Sequence, residues 1–321
     1  MDIPLLISNL TNPTLLFFVL GIVATVVKSD LEIPPSTIKF ISLYLLFSIG
    51  FKGGQELAHS TFSAEILYSL GFGLLLAGLI PLYTFFLLKG RLSIADAGAV
   101  AAAYGSVSAV TFVSAVSFLD GQKLHFGGHM VAVMALMEAP AIIVGVILMM
   151  RYEAPSAEAA PRLGPIVQHS FTNGSVLMVL GSLVIGLIAD TKQADGIKPF
   201  TTDIFKGFLA IFLLEMGMVT ARRFATFLRY GRFVTGFAVL VPLVNGCLVA
   251  ALSHLVTDSV GDRFIFAILA ASASYIAVPA AMRLAAPTAD PGLYLPMALG
   301  VTFPFNITVG IPLYFAIVQH Y

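Results

Sequence analysis

The chain has 321 residues, of which 58% are hydrophobic and only 11% are charged. Soluble domains carry about 25% charged residues, so this deficit excludes a soluble globular protein and indicates several membrane spans. The formal net charge is zero, which gives no support to nucleic-acid binding. Cys247 is the single cysteine, so no disulfide framework is expected.

The membrane spans are predicted to be helices. Lipid offers no hydrogen-bond partner to a backbone, so only helices and closed barrels cross it, and the period-two alternation of barrel strands is absent. A span takes roughly 20 apolar residues. Ten segments qualify, in chain order 13–28, 35–51, 66–88, 92–119, 127–150, 174–189, 201–219, 232–256, 263–285 and 293–318. The predicted fold class is therefore an all-α polytopic membrane protein with ten transmembrane helices.

Five short matches, in the same order, relate the first five spans to the last five. They pair 19–21 with 179–181, 48–50 with 215–217, 79–82 with 240–243, 102–110 with 270–278, and 138–140 with 302–304. Because five is odd, the second copy must enter the membrane from the opposite face, which predicts two inverted five-helix repeats, as in secondary transporters. The predicted domains are a first repeat at 1–151, a cytoplasmic linker at 152–173 and an inverted second repeat at 174–321.

Lys and Arg residues in the loops predict the orientation. With both termini outside, ten of these residues fall in inner loops and five in outer loops, which agrees with the positive-inside rule. The N-terminus has no Lys or Arg before its first apolar run, so a cleaved signal peptide is not expected. We therefore expect a multi-pass protein with both termini outside.

Spans four and nine carry small and hydroxyl residues at their centres. The sequences are AAYGSVSAV at 102–110 and AASASYIAV at 270–278, and Pro279 follows the second. Proline breaks a helix interior but fits the first turn of a new helix. Span nine is therefore predicted to stop near Ser274 and to restart near Val278.

By the repeat, span four is predicted to stop near Gly105 and to restart near Ser108, since serine is a favoured N-cap. Each restarted half-helix carries about half a positive charge at its N-terminus. Two such ends facing each other would hold an anion without Lys or Arg, and free carbonyls with Ser, Thr and Asn oxygens could hold Na⁺. For either stretch alone, the alternative to an ion-binding interruption is ordinary packing of small residues between helices.

Two carboxylates, Glu138 and Glu215, lie deep in the predicted spans. Burying a carboxylate at mid-bilayer costs about 3 kcal/mol, so a functional role is the default. Glu138 is predicted to face the site as a cation ligand or proton carrier, with a structural acid as the alternative. For Glu215, the sequence does not distinguish a functional role from a structural one. Thr302 and Asn306 are candidate oxygen ligands, again with packing as the alternative.

The motif HFGGH places His125 and His129 four residues apart, a spacing that suits a metal ion. The two-glycine loop between them and the lack of a neighbouring carboxylate in the sequence argue against such a site, so no metal beyond Na⁺ is predicted. No HExxH, GxSxG or intramembrane aspartate pair occurs, so the protein is not predicted to be an enzyme. The predicted crossed repeat argues against a passive channel.

These residues resemble a known family, the sodium-dependent bicarbonate transporters (SbtA-like permeases). The resembling segments are YGSVSAVTF at 104–112, MEAPA at 137–141, ASASYIAVP at 271–279, MRLAAPTADPGLYL at 282–295 and VGIPLY at 309–314. They cover both halves of the chain but not the central linker. The resemblance implies a core and a gate domain, a homotrimer in the cell inner membrane, and Na⁺-coupled symport of bicarbonate into the cell by alternating access.

The resemblance also implies site residues and a regulator. The bicarbonate donors map to Gly105, Ser106, Val107, Ser108, Ser274 and Tyr275. The Na⁺ ligands map to Ser108, Thr111, Glu138, Ser272 and Ser274. A PII-like signalling protein is a possible partner on the cytoplasmic face.

Tyr275 stands where the family pattern has an acidic residue. This difference keeps one alternative open, a sodium- or proton-coupled transporter of another small anion on the same fold. Moving one negative charge inward against 100 mV costs about 2.3 kcal/mol, which is the reason to expect coupling to a cation. One Na⁺, or a proton carried by Glu138, would cancel this cost.

Overall fold

The computed structural model describes residues 11–60, 63–153, 163–227 and 230–320, and within these ranges all regular structure is helical. The α-helices are α1 (Pro13–Val26), α2 (Pro35–His59), α3 (Ala64–Leu88), α4 (Ile94–Gly105), α5 (Ala109–Gly121), α6 (His129–Tyr152), α7 (Leu163–Thr172), α8 (Gly174–Ile188), α9 (Thr191–Asp195), α10 (Phe205–Phe227), α11 (Arg232–Leu252), α12 (Val260–Ala271), α13 (Ala277–Ala285) and α14 (Pro291–His320). Helix α14 contains two π-helical segments, Met297–Thr302 and Asn306–Gly310.

Several of these helices match the dimensions of a bilayer. Six segments of the described chain are long and apolar enough to cross a membrane, namely Ala64–Leu88, Ile94–Gly121, His129–Tyr152, Pro199–Phe224, Arg232–Leu255 and Pro291–His320. Helices α1 and α8 are apolar but shorter, and α2 has 25 residues but is less apolar. The chain is thus an all-helical, multi-pass membrane protein.

Helices α4 and α5 form one interrupted segment. Helix α4 ends at Gly105, the backbone of Ser108 is extended, and α5 begins at Ala109. The hydroxyl of Ser108 caps the new helix by accepting the N–H of Thr111 at 3.1 Å. The stop and the restart fall where the small-residue motif and the serine cap predict them.

Helices α12 and α13 form the second interrupted segment. Helix α12 ends at Ala271 and α13 begins at Ala277. The stop comes three residues before the predicted one near Ser274, because Ser272 takes an extended backbone and turns its hydroxyl back onto the preceding helical turn. Pro279 is the third residue of α13, in the first turn, where backbone N–H groups have no intrahelical acceptor.

Two helix pairs, each of one long and one shorter helix, accompany the interrupted segments. Helix α1 packs along α10, and α2 packs along α8. Glycines bring these backbones together, since a Cβ at Gly21 would overlap the carbonyl of Leu214, and a Cβ at Gly54 would overlap that of Leu183. Helices α3 and α6 pack on α4, and α11 packs on α12. The interrupted segments are therefore enclosed, and nearly all residues of α4, α5 and α12 are buried.

The segment predicted as a linker, 152–173, is not extended throughout. Residues 154–162 lie outside the described residues, but Leu163–Thr172 forms helix α7. Its Ile166 is buried, and the helix contacts α6, α8 and α13. The segment predicted to link the two repeats thus contains a short helix, which the buried side chain of Ile166 helps to hold although its composition is that of a loop.

Candidate functional site

The two interruptions cross in direct contact with each other. The N–H of Ser274 donates to the carbonyl of Ala103 at 2.8 Å, and the N–H of Ser108 donates to Oγ of Ser272 at 3.0 Å. The Ser272 hydroxyl in turn donates to the carbonyl of Leu269 at 3.0 Å. Each interruption thus supplies the hydrogen-bond partner that the other lacks, and the two form one bonded unit, here called the crossing.

A small cavity lies at the crossing. Its volume is about 10 Å³, which is room for about one water molecule. It is lined by residues 107–109 and 274–277, by Glu138 of α6 and by Ser175 of α8. The starts of α5 and α13 therefore face one enclosed space, together with one carboxylate.

Several polar groups at the crossing are buried without a partner. Among the described residues, no hydrogen bond is found for Oγ of Ser106, Oε1 of Glu138 or the hydroxyl of Tyr275. The backbone N–H groups of Val107 and Ala109 likewise have no acceptor in this part of the chain. Each unsatisfied buried group costs about 1–3 kcal/mol, so a bound ligand is expected to satisfy them. Donors and a carboxylate suit the chemistry of a small anion next to a cation, and because the cavity has room for about one water molecule in this conformation, it must widen to hold them.

The predicted bicarbonate donors occupy different places around the crossing. Val107, Ser108, Ser274 and Tyr275 line the cavity. Gly105 lies behind it, where a Cβ would collide with the ring of Pro81, and the N–H of Ser106 donates to the carbonyl of Ala102 at 3.0 Å. Because the N–H groups of Ser108 and Ser274 are used in the crossing bonds, Val107 and Tyr275 retain free backbone donors in this conformation.

The predicted Na⁺ ligands also divide into two groups. Ser108, Glu138 and Ser274 line the cavity and can offer side-chain oxygens to a cation. Ser272 and Thr111 do not line it, since Ser272 bonds the N–H of Ser108 and Thr111 lies in the first turn of α5. These two residues hold Ser108 in position.

The candidate ligands in α14 are engaged elsewhere. The amide of Asn306 donates to the carbonyl of Ala271 at 2.7 Å, so it satisfies the C-terminal end of α12. The hydroxyl of Thr302 donates to the carbonyl of Ala238 at 2.7 Å and lies 2.7 Å from the hydroxyl of Tyr104. Both side chains brace the interrupted helices and do not line the cavity.

Sequence reasoning missed two residues at the crossing. Asn245 of α11 donates to the carbonyl of Ala270 at 3.2 Å and accepts the hydroxyl of Tyr83 at 2.6 Å. The Asn245 amide within an apolar run could have indicated a role for this residue, since burying a polar group in a membrane helix costs free energy. Ser175 lines the cavity because Asn173 caps α8 two residues earlier, and no signal in the sequence relates that helix start to the crossing.

Other singled-out residues lie away from the crossing. Glu215 has Arg222 and Glu32 as charged neighbours and does not line the cavity. Nε2 of His129 lies 3.7 Å from a carboxylate oxygen of Asp262, so the carboxylate that the sequence around HFGGH lacks is supplied by α12. Within the described residues, no three ligands group around a potential metal ion.

A wider cavity of about 750 Å³ opens next to the crossing and shares Ser175, Tyr275 and Ile276 with the small one. Lys39 and Arg223 also line it, so it is called the basic vestibule. It lies at the N-terminal end of α2. Two further cavities, of about 210 and 860 Å³, lie at the C-terminal end of α2 and include no residue of the crossing.

Comparison with known proteins agrees with this geometry. A family model described as the Na⁺-dependent bicarbonate transporter superfamily matches residues 13–319, which include both interruptions. A comparison with curated proteins finds no significant match. The chain therefore belongs to the Na⁺-dependent bicarbonate transporter superfamily, as the resemblance of its motifs predicts.

Proposed function

We propose that this protein imports bicarbonate together with Na⁺ by alternating access. The observation that carries the proposal is the crossing, where two half-helix starts, the Tyr275 hydroxyl and an unpartnered oxygen of Glu138 lie at one cavity. Helix N-termini favour an anion through their free N–H donors and their partial positive charge. A small oxyanion fits this donor set, and the family description points to bicarbonate.

The residues around the cavity suggest a role for each ion. Val107 and Tyr275, with free backbone N–H groups, are the proposed anion donors. Ser108, Ser274 and Glu138 are the proposed Na⁺ ligands. A Na⁺ next to the anion neutralises its charge, so the membrane potential does not oppose the entry of the pair.

We further propose ten spans in two inverted repeats, at 1–151 and 174–321. The reciprocal pairing of the long helices supports this architecture, since the first span of each repeat packs along the second span of the other, α1 with α10 and α8 with α2. These four helices form the proposed gate domain, and the remaining spans form the core domain around the crossing. The homotrimer, the inner-membrane location and the PII-like regulator stay predictions of the resemblance.

The proposed conformation is inward-facing. The small cavity meets the basic vestibule through Ser175, Tyr275 and Ile276, whereas the cavities at the other end of α2 do not reach it. The predicted orientation places Arg223, and hence the basic vestibule, on the cytoplasmic side. Transport then requires a second conformation that closes this vestibule and opens the opposite end.

The direct test is uptake of labelled bicarbonate by proteoliposomes under an inward Na⁺ gradient. We expect accumulation that stops when K⁺ replaces Na⁺. Ser274→Ala should weaken uptake, whereas Ser114→Ala should not, because the Ser114 hydroxyl only bonds the carbonyl of Val110 in its own helix. Uptake that does not depend on Na⁺ but is driven by a pH gradient would show that the coupling ion is a proton. Uptake of a different oxyanion in place of bicarbonate would overturn the assignment of bicarbonate as the substrate.

A further inference from the structure

Tyr275 stands at the boundary between the small cavity and the basic vestibule. It belongs to the non-helical segment between α12 and α13 and lines both spaces. Its ring packs edge-on against Phe303 of α14, with ring centroids 6.3 Å apart and an interplanar angle of 70°. The residue is partly exposed, yet its hydroxyl is buried. Tyr275 thus separates the small cavity from the basic vestibule, with its hydroxyl out of contact with solvent.

The Tyr275 hydroxyl differs from five other tyrosine hydroxyls of the described chain. Those of Tyr44, Tyr83, Tyr104, Tyr230 and Tyr314 all have a partner within the protein. Among the described tyrosines, only Tyr275 has a buried hydroxyl that makes no hydrogen bond of normal geometry, and its neighbouring hydrogen-bonding side chain is Ser108, which also lines the cavity. A phenol held by ring packing with a free O–H donor is a preorganised hydrogen-bonding group, and its burial is costly unless a ligand accepts from it.

We propose that the Tyr275 hydroxyl donates a hydrogen bond to the transported anion, and that its ring closes the path from the cavity to the basic vestibule. This inference rests on the proposed function, since it places the anion at the crossing. A hydrogen bond to an anionic oxygen is charge-assisted and stronger than one between neutral groups. Because packing on Phe303 fixes the donor, the site selects an anion that presents an oxygen at that position, which makes Tyr275 a specificity-determining residue.

Tyr275→Phe tests the donor, since it keeps the ring and removes only the hydroxyl. In thermal-shift titrations of the purified protein at fixed Na⁺, we expect the variant to need at least about tenfold more bicarbonate for the same stabilisation. Its Na⁺ dependence should be unchanged. Tyr44→Phe is the matched control, because the Tyr44 hydroxyl is bonded to the carbonyl of Phe200, away from the crossing. This control should titrate like the wild type.

The outcomes separate this inference from the proposed function. Wild-type bicarbonate dependence in Tyr275→Phe would overturn the role of the hydroxyl, while Na⁺-driven uptake by the wild type would still stand. If the wild type responds to nitrate or formate but not to bicarbonate, the proposed substrate falls, and the same tenfold loss is expected with the responding anion. A wild type that responds to none of these anions would overturn both.

A second variant tests the ring. In a Cys247→Ala background, Ala109→Cys places a thiol in the small cavity and outside the basic vestibule. Tyr275→Ala should speed its labelling by a membrane-impermeant thiol reagent from the vestibule side, whereas Tyr275→Phe should not. Equal labelling rates in the two variants would overturn the closing role of the ring.

Discussion

Glu138 is 8% exposed and carries one carboxylate oxygen that is buried without a partner, at a cavity that three serines also line. We expect Glu138→Gln to raise the Na⁺ concentration for half-maximal bicarbonate uptake by about tenfold or more, because a cation site loses its negative charge. The variant should remain folded, since the amide has nearly the same shape and buries no charge. The measurement is the Na⁺ dependence of uptake in proteoliposomes.

The matched control is Glu153→Gln, which neutralises an exposed carboxylate immediately after the same helix. It should leave the Na⁺ dependence unchanged. If Glu138→Gln keeps the wild-type Na⁺ dependence but loses its response to a pH gradient, Glu138 carries a proton and does not bind Na⁺. If it keeps both, the coupling site lies elsewhere.

Ser272 is expected to contribute more to stability than to ion binding. Its hydroxyl accepts the N–H of Ser108 and donates to the carbonyl of Leu269, so it holds the two interruptions together. Ser272→Ala leaves a buried N–H without an acceptor and should lower the free energy of unfolding by about 1–3 kcal/mol. Thermal unfolding in detergent measures this loss. Ser114→Ala, which removes only a bond within one helix, should cost less, and equal losses would contradict the bridging role.

At the scale of helices, glycine contacts set the distance between the paired long helices. A Cβ at Gly54 of α2 would overlap the carbonyl of Leu183 on α8, whereas a Cβ at Gly181 on α8 meets nothing within 4 Å. Gly54→Ala should therefore push the two helices apart and lower the free energy of unfolding by about 1–3 kcal/mol. Gly181→Ala should be neutral or slightly stabilising, since alanine is the better helix former. Thermal unfolding measures both variants. An equal decrease in the free energy of unfolding would contradict this packing argument.

Local signals predicted the long apolar helices and both interruptions but not the short helices α7 and α9. Proline, glycine and serine act on the backbone next to them, and a long apolar run marks a span. The contacts that assemble the crossing join distant parts of the chain, and no local signal encodes them. The bond between Ser108 and Ser272 spans 164 residues, and it is one reason why α12 ends before the predicted stop. The same limit explains why Ser175, on a helix that begins outside the motif, was missed, and why the carboxylate beside His129 comes from α12.

For the whole molecule, the HFGGH motif accounts for the closed end of the proposed inward-facing conformation. The backbone of Gly128 meets that of Gly53 on α2 so closely that a Cβ would overlap its carbonyl oxygen. On the other side of the loop, a Cβ at Gly261 of α12 would overlap the carbonyl of His125, and the N–H of Gly127 donates to Asp262 at 2.6 Å. The loop is held between α2 and α12 at the end of α2 opposite the basic vestibule. The proposed alternating access requires this contact to open as the basic vestibule closes.

Thiol labelling from the two sides of the membrane tests this asymmetry. In a Cys247→Ala background, Ser175→Cys reports the basic vestibule and His59→Cys reports the cavity at the far end of α2. We expect an impermeant reagent to label the two positions from opposite sides, because α2 has 25 residues and about 37 Å separates its ends. If Na⁺ and bicarbonate drive the molecule away from the inward-facing conformation, their joint addition should slow labelling at Ser175→Cys. Labelling of both positions from the same side of the membrane would contradict the membrane placement. If Na⁺ and bicarbonate leave the labelling rate at Ser175→Cys unchanged, binding at the crossing does not move the proposed gate domain.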